Sequence, residues 1–292
     1  MNVEDLIKKY DGKAVVDSVS FKVPKGKVLS LIGPNGAGKS TVMGMISRLI
    51  AKDSGVIQFE DKDLSGWKSR ELAKKLAILT QHNNIQMKLT VRELVAFGRF
   101  PYSGNHTTPE DEAIVDQAID YMELREFEDR FIDELSGGQR QRLGIARALI
   151  MEPEFIIADE PISALDVSIR AQIINLLNEL KKEHSLTYLF IAHDLSVVRF
   201  ISDRIGVIYK GALMELAPGE EIFAHPLHPY TRSLLSAIPM PDPAAERGKT
   251  CTPYNPSVHD YSVDKPAWTE IAPGHFVFAN ARECDEYRRM LG

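Results

Sequence analysis

The chain has 292 residues, of which 44% are hydrophobic and 26% are charged, and its formal net charge is -6. This composition is typical of a folded globular protein with enough residues for one large domain or two smaller ones. It excludes wholesale disorder, and the acidic balance excludes a chain whose main task is to coat nucleic acid, because that task leaves a basic footprint.

The amino-terminal end and the cysteines indicate a compartment. Residues 1–5 are polar and acidic, unlike a secretion signal, and no apolar run approaches the roughly eighteen residues of a membrane-spanning helix. The two cysteines, Cys251 and Cys284, lie far apart, which excludes a disulfide framework and an all-cysteine zinc or iron–sulfur site. We therefore expect a reducing, cytosolic setting, with any membrane span supplied by another chain.

The first elements are two predicted strands, a glycine-rich loop and a helix. Residues 14–23 alternate apolar and polar side chains before a Pro-Lys-Gly turn, and residues 28–32 form a short apolar run that ends at Gly33. From Lys39 to Ile50 the apolar residues follow a helical period. The glycine-rich segment is therefore expected between a strand and a helix.

Residues 85–134 predict a helical insertion, since strand signals fade there and two helix starts are visible. Thr90 with Glu93 is a candidate capping box, and Thr108 followed by Pro109 opens a second helix. The apolar face of that helix is predicted to carry Ile114, Ala118 and Met122.

Residues 155–158 and 187–192 are apolar runs separated by a helical segment over residues 170–182. Strand, helix and strand in this order predict a parallel-sheet unit. After His225 the chain becomes rich in proline, which predicts an appendage more than another sheet layer.

The first motif that carries chemistry is Gly33-Pro34-Asn35-Gly36-Ala37-Gly38-Lys39-Ser40, a phosphate-binding loop pattern. Its glycines let main-chain N–H groups face phosphate oxygens, and the following helix presents its positive end. Lys39 is expected to reach the outer phosphates and Ser40 to bind Mg²⁺. A flexible glycine turn is the plain alternative, which the strand and helix context disfavours. The predicted nucleotide contacts here are Gly33, Asn35, Gly36, Gly38, Lys39, Ser40 and Thr41.

The second motif is an apolar strand that ends in Asp159 and Glu160. Asp159 can hold the Mg²⁺ of a nucleotide, and Glu160 can polarise a water for attack on the γ-phosphate. Alone, this pattern fits a solvated strand end as well. The phosphate-binding loop favours the catalytic interpretation.

The third motif is Leu135-Ser136-Gly137-Gly138-Gln139, followed by a helical stretch. Ser136 is a candidate cap for that helix, and the two glycines would allow its amino end to approach a phosphate. A plain Ser-Gly-Gly turn is the alternative.

The order of the phosphate-binding loop, Gln81, Leu-Ser-Gly-Gly-Gln, the acidic strand end and His193 resembles ABC-type ATPase subunits over residues 1 to about 225. The resemblance implies an α/β fold of the P-loop NTPase class, with a parallel core sheet, an N-terminal antiparallel β part, a helical insertion and a C-terminal extension. It implies a nucleotide-binding core over 1–82 and 151–225, a helical subdomain over 83–150, and the extension over 226–292.

The resemblance also implies roles for single residues. Tyr10 would stack on adenine, Gln81 would sense Mg²⁺ and take part in catalysis, and His193 would contact the γ-phosphate beside Glu160. An ATP held by Lys39 of a second chain would be covered by Ser136, Gly137, Gly138 and Gln139. The segment Ser163-Ala164-Leu165-Asp166 would communicate between the two chains of the dimer.

The cofactors implied are ATP and Mg²⁺. The implied partners are a second ATPase subunit, identical or not, and two transmembrane permease subunits, with no nucleic acid. A peripheral position on the cytoplasmic face of the cell membrane follows from this.

Two subfamily resemblances disagree. Residues 1 to about 135 resemble iron-siderophore importers, through residues 47–50, 89–95 and 97–102. Residues from about 142 onward resemble oligopeptide importers, through residues 158–167 and 192–198 and the extension that begins at His225-Pro226-Leu227-His228-Pro229-Tyr230. One hypothesis is a mosaic, natural or engineered, joined near Ser136 to Arg142; an ordinary divergent member is the other. Some extension-bearing members bind an iron–sulfur cluster, which two cysteines do not predict here.

Two other classes remain as alternatives. A soluble ABC-type ATPase of DNA repair or translation shares these motifs, but such repair proteins typically insert long coiled coils and such translation factors carry two cassettes. A module that binds nucleotide without turnover is the other alternative, and Glu160 with His193 argues against it.

Overall fold

The computed structural model describes residues 1–80, 88–104, 106–163, 165–193, 195–238 and 252–291. Among these residues, none of the helices combines the length and apolar character that a membrane crossing requires. In chain order the strands are β1 (Asn2–Tyr10), β2 (Lys13–Lys22), β3 (Val28–Ile32), β4 (Ser54–Phe59), β5 (Lys62–Asp63), β6 (Leu76–Leu79), β7 (Phe155–Asp159), β8 (Thr187–Ala192), β9 (Arg204–Tyr209), β10 (Ala212–Pro218), β11 (Ala267–Ala272) and β12 (His275–Ala279).

The helices cluster between and beyond these strands. They are α1 (Lys39–Ile46), α2 (Ser69–Lys75), α3 (Val91–Phe97), α4 (Phe100–Ser103), α5 (Pro109–Tyr121), α6 (Gly137–Leu149), α7 (Val167–His184), α8 (Leu195–Ile201), α9 (Gly219–Ala224), α10 (Pro229–Ser236) and α11 (Ala281–Leu291).

The strands form two sheets. The larger has the order β11-β12-β10-β9-β3-β8-β7-β6, in which β9, β3, β8, β7 and β6 run parallel; the smaller is antiparallel, in the order β2-β1-β4-β5. Leu29 and Leu31 of β3 face the smaller sheet and α1, whereas Val28 and Ile32 face the helices on the other side. Both faces of the parallel strands are thus covered, as a parallel sheet requires.

The predicted strands over residues 28–32 and 187–192 are confirmed, and so is the helix start at Lys39. Helix α1 ends at Ile46, however, four residues before the predicted end at Ile50. Arg48 adopts a left-handed conformation with φ 62°, and the Ile50 N–H turns back to the Gly44 carbonyl at 2.9 Å. The left-handed residue ends the helix, and the apolar Leu49 and Ile50 that follow it conceal this end in the sequence.

Both predicted capping boxes are present, at Thr90 for α3 and at Thr108 for α5. The predicted face of α5 is wrong by one position, because Val115 and Ile119 are the fully buried residues with Met122. Asp111 accounts for this shift of the buried face by one position. It is buried one turn earlier on the same side, 2.7 Å from the Arg99 guanidinium, and leaves the predicted Ile114 and Ala118 only half-buried.

The tail is predicted to be an appendage more than another sheet layer; it adds no layer, but part of it joins the core sheet. Strand β12 pairs antiparallel with β10, and β11 pairs with β12, so the tail lengthens the core sheet by a hairpin without adding a layer. The predicted domain boundaries at 82, 150 and 225 stay a prediction.

A buried carboxylate on β10 binds this extension to the core. Glu215 is 0% exposed, and its carboxylate accepts hydrogen bonds from the N–H groups of Leu227 (2.8 Å) and His228 (3.0 Å) and from His275 Nε2 (2.7 Å). One acceptor group therefore joins the core sheet, the segment before α10 and the first residue of β12.

We predict that Glu215→Ala lowers the free energy of unfolding by about 3 to 5 kcal/mol, because three buried donors lose their acceptor together. Urea denaturation measures this. The exposed Glu286 offers a matched control, and Glu286→Ala should change the value by less than about 0.5 kcal/mol. A loss below about 1 kcal/mol for Glu215→Ala would contradict the anchoring role.

Candidate nucleotide site

Three neighbouring parallel strands end at one edge of the core sheet. Ile32 of β3 is paired with Ala192 of β8, and Asp159 of β7 is paired with Ile191 of β8. The residues that follow these strands are Gly33, His193 and Glu160. The pairing therefore brings together three predicted site positions that are up to 160 residues apart in sequence.

The phosphate-binding loop folds around the Lys39 ammonium. Lys39 is 5% exposed, and its Nζ donates to the carbonyl oxygens of Gly33 (2.7 Å) and Pro34 (3.0 Å). Burial lowers the pKa of Lys39, while the charges of Glu160 and Asp159 act in the opposite direction. The loop thus holds a partly desolvated cation at its centre, where an anion would lie.

Two glycines of the loop are required by its conformation. Gly36 has φ 78° and Gly38 has φ 99°, in the left-handed region that glycine adopts without cost. A Cβ on Gly38 would also lie 2.6 Å from the Val15 carbonyl oxygen of β2. The loop is therefore packed tightly on the smaller sheet.

Sequence reasoning missed the residues that support this loop from behind. The Gly211 N–H, in the turn between β9 and β10, donates to the Ala37 carbonyl at 3.0 Å, and the Gly211 carbonyl accepts from Asp17 N–H at 2.8 Å. A Cβ on Gly211 would also lie 2.6 Å from the Val15 oxygen. The sequence shows Gly211 as a glycine in a turn between two strands, but it does not show that this turn contacts Ala37 and Asp17.

The loop fits a nucleotide phosphate. The first N–H groups of α1 have no partner within the helix and carry its positive dipole end, an arrangement that binds anions. Asn35 and Ser40 are exposed, and Thr41 is half-buried in the first turn of α1. The fit is therefore made by main-chain donors and one buried cation.

The two carboxylates are held differently. Burial, and then the charge of Glu160, raise the pKa of Asp159, and Lys39 opposes this. A divalent cation would relieve this excess of negative charge, and Asp159 with the Ser40 hydroxyl offers the oxygen donors that Mg²⁺ prefers. The predicted third donor, Gln81, lies outside the described residues.

Glu160 has a constrained main chain. Its φ is 45°, which costs a non-glycine residue about 1 to 2 kcal/mol, and its N–H donates to the Ile191 carbonyl at 3.0 Å. Its Oε2 lies 3.1 Å from His193 Nδ1. The structure thus brings the predicted catalytic pair into contact.

The third motif, residues 135–139, is the signature segment, and it forms the start of α6. Ser136 caps α6 by accepting from Gln139 N–H at 3.3 Å, and the Gln139 side chain accepts from Ser136 N–H at 2.8 Å. Ser136 and Gly137 are exposed, whereas Gly138 is buried. Within the described part of the chain, no hydrogen bond or ion pair joins these four residues to residues 33–41.

Two further predicted contacts are also exposed. Tyr10, at the end of β1, is 47% exposed, and the Lys8 Nζ lies 5.3 Å from the centre of its ring. Asp166 precedes α7 and makes no side-chain cap. Both are accessible to a ligand or a partner, and their roles stay predictions.

Two family models match this chain. Residues 16–163 match the model of the family described as "ABC transporter". Residues 214–265 match the one described as "Oligopeptide/dipeptide transporter, C-terminal region".

Relatives match over nearly the whole chain. The "Oligopeptide transport ATP-binding protein OppF" of Streptococcus pyogenes serotype M1 is 48% identical, covering 94% of this chain and 92% of that protein. The OppF of Bacillus subtilis (strain 168) is also 48% identical, over 92% and 90%. The "Dipeptide transport ATP-binding protein DppF" of Lactococcus lactis subsp. cremoris (strain MG1363) is 41% identical, over 97% and 92%.

Solved structures share the fold. CbiO1 from Clostridium perfringens, "Part of the ABC transporter complex cbiONQ", aligns with a TM-score of 0.69 and 30% identity, over 76% of this chain and 90% of that chain. The ADP conformation of MJ1267, "an ATP-binding cassette of an ABC transporter", has a TM-score of 0.68 and 27% identity, over 79% and 97%. The predicted fold class is confirmed.

These relatives bear on the mosaic hypothesis. An alignment that spans 94% of the chain necessarily includes most of residues 1–135. The half predicted to resemble siderophore importers therefore aligns with proteins named for oligopeptide transport. Neither a siderophore-type segment nor a chimera is supported.

We predict that Gly38→Ala weakens nucleotide binding at least tenfold more than Gly36→Ala does. Both positions have positive φ, but a Cβ on Gly36 meets no atom within 4 Å, whereas one on Gly38 meets the Val15 carbonyl. Titration with a fluorescent ATP analogue measures the difference, with circular dichroism as the control for folding. Equal affinities for the two variants would contradict the tight packing of this loop.

Proposed function

Since this chain belongs to the ATP-binding subunits of ABC transporters, we propose that it powers the import of oligopeptides through a membrane permease. The chain binds ATP and hydrolyses it to ADP and phosphate, as subunits of this family do. The observation that carries the cargo assignment is the match of residues 214–265 to the C-terminal region of oligopeptide and dipeptide transporters. Relatives at 48% identity carry oligopeptide transport in their names, which supports the same cargo.

We propose the following roles for the residues at the edge of the core sheet. The main chain of residues 33–38 and the start of α1 bind the phosphates, and Lys39 compensates their outer charge. Asp159 and Ser40 would hold Mg²⁺, which would supply further neutralisation of phosphate charge. Gln81 is the remaining proposed Mg²⁺ donor, and Tyr10 stacks on the adenine.

Glu160 polarises the attacking water, and His193 orients it. The 3.1 Å contact between His193 Nδ1 and Glu160 Oε2 fixes the direction of the carboxylate. Burial of the adjacent Asp159 raises its pKa, and the charge of Lys39 favours its ionised form. One carboxylate thus faces the cation and the other the water.

A second ATPase subunit completes the site. Ser136 and Gly137 are exposed at the start of α6, and among the described residues no hydrogen bond or ion pair joins them to the phosphate-binding loop of their own chain. An exposed helix start with free N–H groups can bind the phosphates of an ATP held by another chain. Ser136, Gly137, Gly138, Gln139 and Asp166 therefore belong to the interface between two ATPase subunits.

The helical subdomain offers the permease a groove. The cavity measures about 440 Å³, and it exposes Phe97 (52%) and Phe100 (54%) next to each other. Exposed aromatic pairs of this kind mark interaction surfaces. Its lining residues are Leu89, Glu93, Ala96, Phe97, Phe100, Gly104 and Thr107. Docking there would place the chain on the cytoplasmic face of the membrane as a peripheral subunit.

We predict that Glu160→Gln reduces steady-state phosphate release by roughly 10²-fold to 10⁴-fold while ATP affinity is retained, because the amide cannot act as a base. Phosphate release and nucleotide titration measure the two quantities. Glu220→Gln, with an exposed carboxylate, is the matched control and should keep wild-type turnover. Turnover within tenfold of wild type in Glu160→Gln would exclude Glu160 as the base.

Reconstitution with a permease tests the cargo. We expect an oligopeptide-type permease in proteoliposomes to stimulate hydrolysis and a siderophore-type permease to leave it unchanged. Stimulation by the siderophore type alone would overturn the cargo, and stimulation by neither would overturn the transport role.

The groove has its own test in the same assay. Replacing Phe97 and Phe100 together with Asp should reduce permease stimulation at least tenfold, because two charges would enter an apolar contact. Val263→Asp, at a position 92% exposed on the extension, is the control and should leave stimulation intact. Full stimulation of the Phe97 and Phe100 variant would remove the groove from the permease interface.

A further inference from the structure

The loop from Glu160 to Asp166 connects the acidic strand end to α7, and its contacts run back to Glu160. The Glu160 carbonyl accepts two hydrogen bonds from Ser163, one from the main-chain N–H at 3.3 Å and one from the hydroxyl at 3.0 Å. Together with the Glu160 N–H to Ile191 bond, these contacts fix both sides of the Glu160 main chain. The left-handed conformation of Glu160 is therefore held by Ser163.

Ser163 is in turn held by an arginine from the first turns of α7. The Arg170 Nε donates to the Leu165 carbonyl at 2.6 Å, and its Nη2 lies 3.4 Å from the Ser163 carbonyl. The guanidinium thus contacts the main chain at two positions of the loop. Its planar donors suit this double contact, which a lysine ammonium on a flexible stem does not reproduce.

The same device recurs in the signature segment. The Arg140 Nε of α6 donates to the Leu135 carbonyl at 2.9 Å, again five residues back along the chain. The two loops also touch, since a Cβ on Gly137 would lie 3.5 Å from Leu165 and one on Gly138 would lie 3.1 Å from Ile169. The loop held by Arg170 is therefore packed against the signature segment on its other side.

We propose that Arg170 is a positioning residue for Glu160, acting through Ser163. The proposal rests on the assignment of Glu160 as the base under the proposed function. Arg170 follows the acidic strand end in the chain. Among the described residues, no hydrogen bond or ion pair joins it to the carboxylate of Asp159 or Glu160. Its effect on hydrolysis comes from the loop conformation and hence from the direction of the Glu160 side chain.

Single-turnover hydrolysis with the full chain in excess over ATP tests this role, because the rate constant then reports the chemical step. Arg170→Ala should lower the rate constant about tenfold to hundredfold, as expected for a displaced catalytic group, with the dissociation constant of ATP within about twofold of wild type. Arg170→Lys should recover only part of the rate. Arg288→Ala, at an exposed position of α11, should match wild type.

Ser163→Ala supplies a milder test, since it removes the hydroxyl bond to Glu160 and keeps the main-chain one. It should lower the rate constant less than Arg170→Ala does and leave ATP affinity unchanged. If Arg170→Ala does not fold, Arg170→Lys and Ser163→Ala decide the matter by the same two measurements. Wild-type rate constants in these variants, or a loss of ATP affinity that accounts for the lower rate, would overturn the proposal.

The Glu160→Gln background separates this proposal from the assignment of the base. With Glu160 removed, Arg170→Ala should have no further effect on the residual rate, because the group it positions is absent. An equal loss in both backgrounds would overturn the positioning role while Glu160 stays the base. Wild-type turnover in Glu160→Gln alone would instead overturn the proposed base.

Discussion

The parallel pairing of β8 with β3 on one side and β7 on the other is the constraint on which the site depends. Neighbouring strands lie about 4.8 Å apart, so the pairing fixes the ends of three strands within roughly 10 Å of each other. Ile32, Ala192 and Asp159 are the last residues of these strands. A slip of register on either side of β8 would separate Lys39, His193 and Glu160, whatever their local conformations. The apolar faces of β3, each packed on a different layer, prevent such a slip.

This edge of the core sheet also holds charged groups, Lys39 and Asp159, whose charged forms are partly desolvated. Burial lowers the pKa of Lys39 and raises that of Asp159, so each group is held where its charged form is less favourable than in water. The Lys39 ammonium is compensated by two carbonyl oxygens and by carboxylates it does not bond directly. Phosphate oxygens would offer Lys39 a full counter-charge, and a cation would do so for Asp159. The site is thus electrostatically prepared for both components together, which favours binding them as a pair.

Local chemistry was sufficient to predict much of this fold. Apolar runs such as residues 187–192 and the caps at Thr90, Thr108 and Ser136 depend on neighbours within a few residues, so the sequence displays them directly. Features set by distant contacts were missed. The hairpin of β11 and β12 joins the core sheet through β10 and Glu215, and the support of the phosphate-binding loop comes from Gly211.

The rotated face of α5 is likewise set by a distant contact, whereas the wrong subfamily resemblance has a different cause. Asp111 is buried against the Arg99 guanidinium, and no helical period reveals such a partner. The resemblance to siderophore importers came from short runs within residues 1–135, whereas alignments along most of the chain relate it to oligopeptide transport proteins. A few short runs of residues have little power to separate branches of a family whose members share the same packing.

Gly137 and Gly138 of the signature segment have different environments, although the sequence predicts the same role for both. Each was expected to let the start of α6 approach a phosphate. Gly138, however, is buried, and a Cβ there would lie 3.1 Å from Ile169 of α7, so its small size serves packing within its own chain. Gly137 is exposed, and a Cβ there would only touch Leu165 at an ordinary 3.5 Å. Ser136 and Gly137 are thus the exposed residues for the proposed approach to a ligand, whereas Gly138 allows the start of α6 to pack closely on α7.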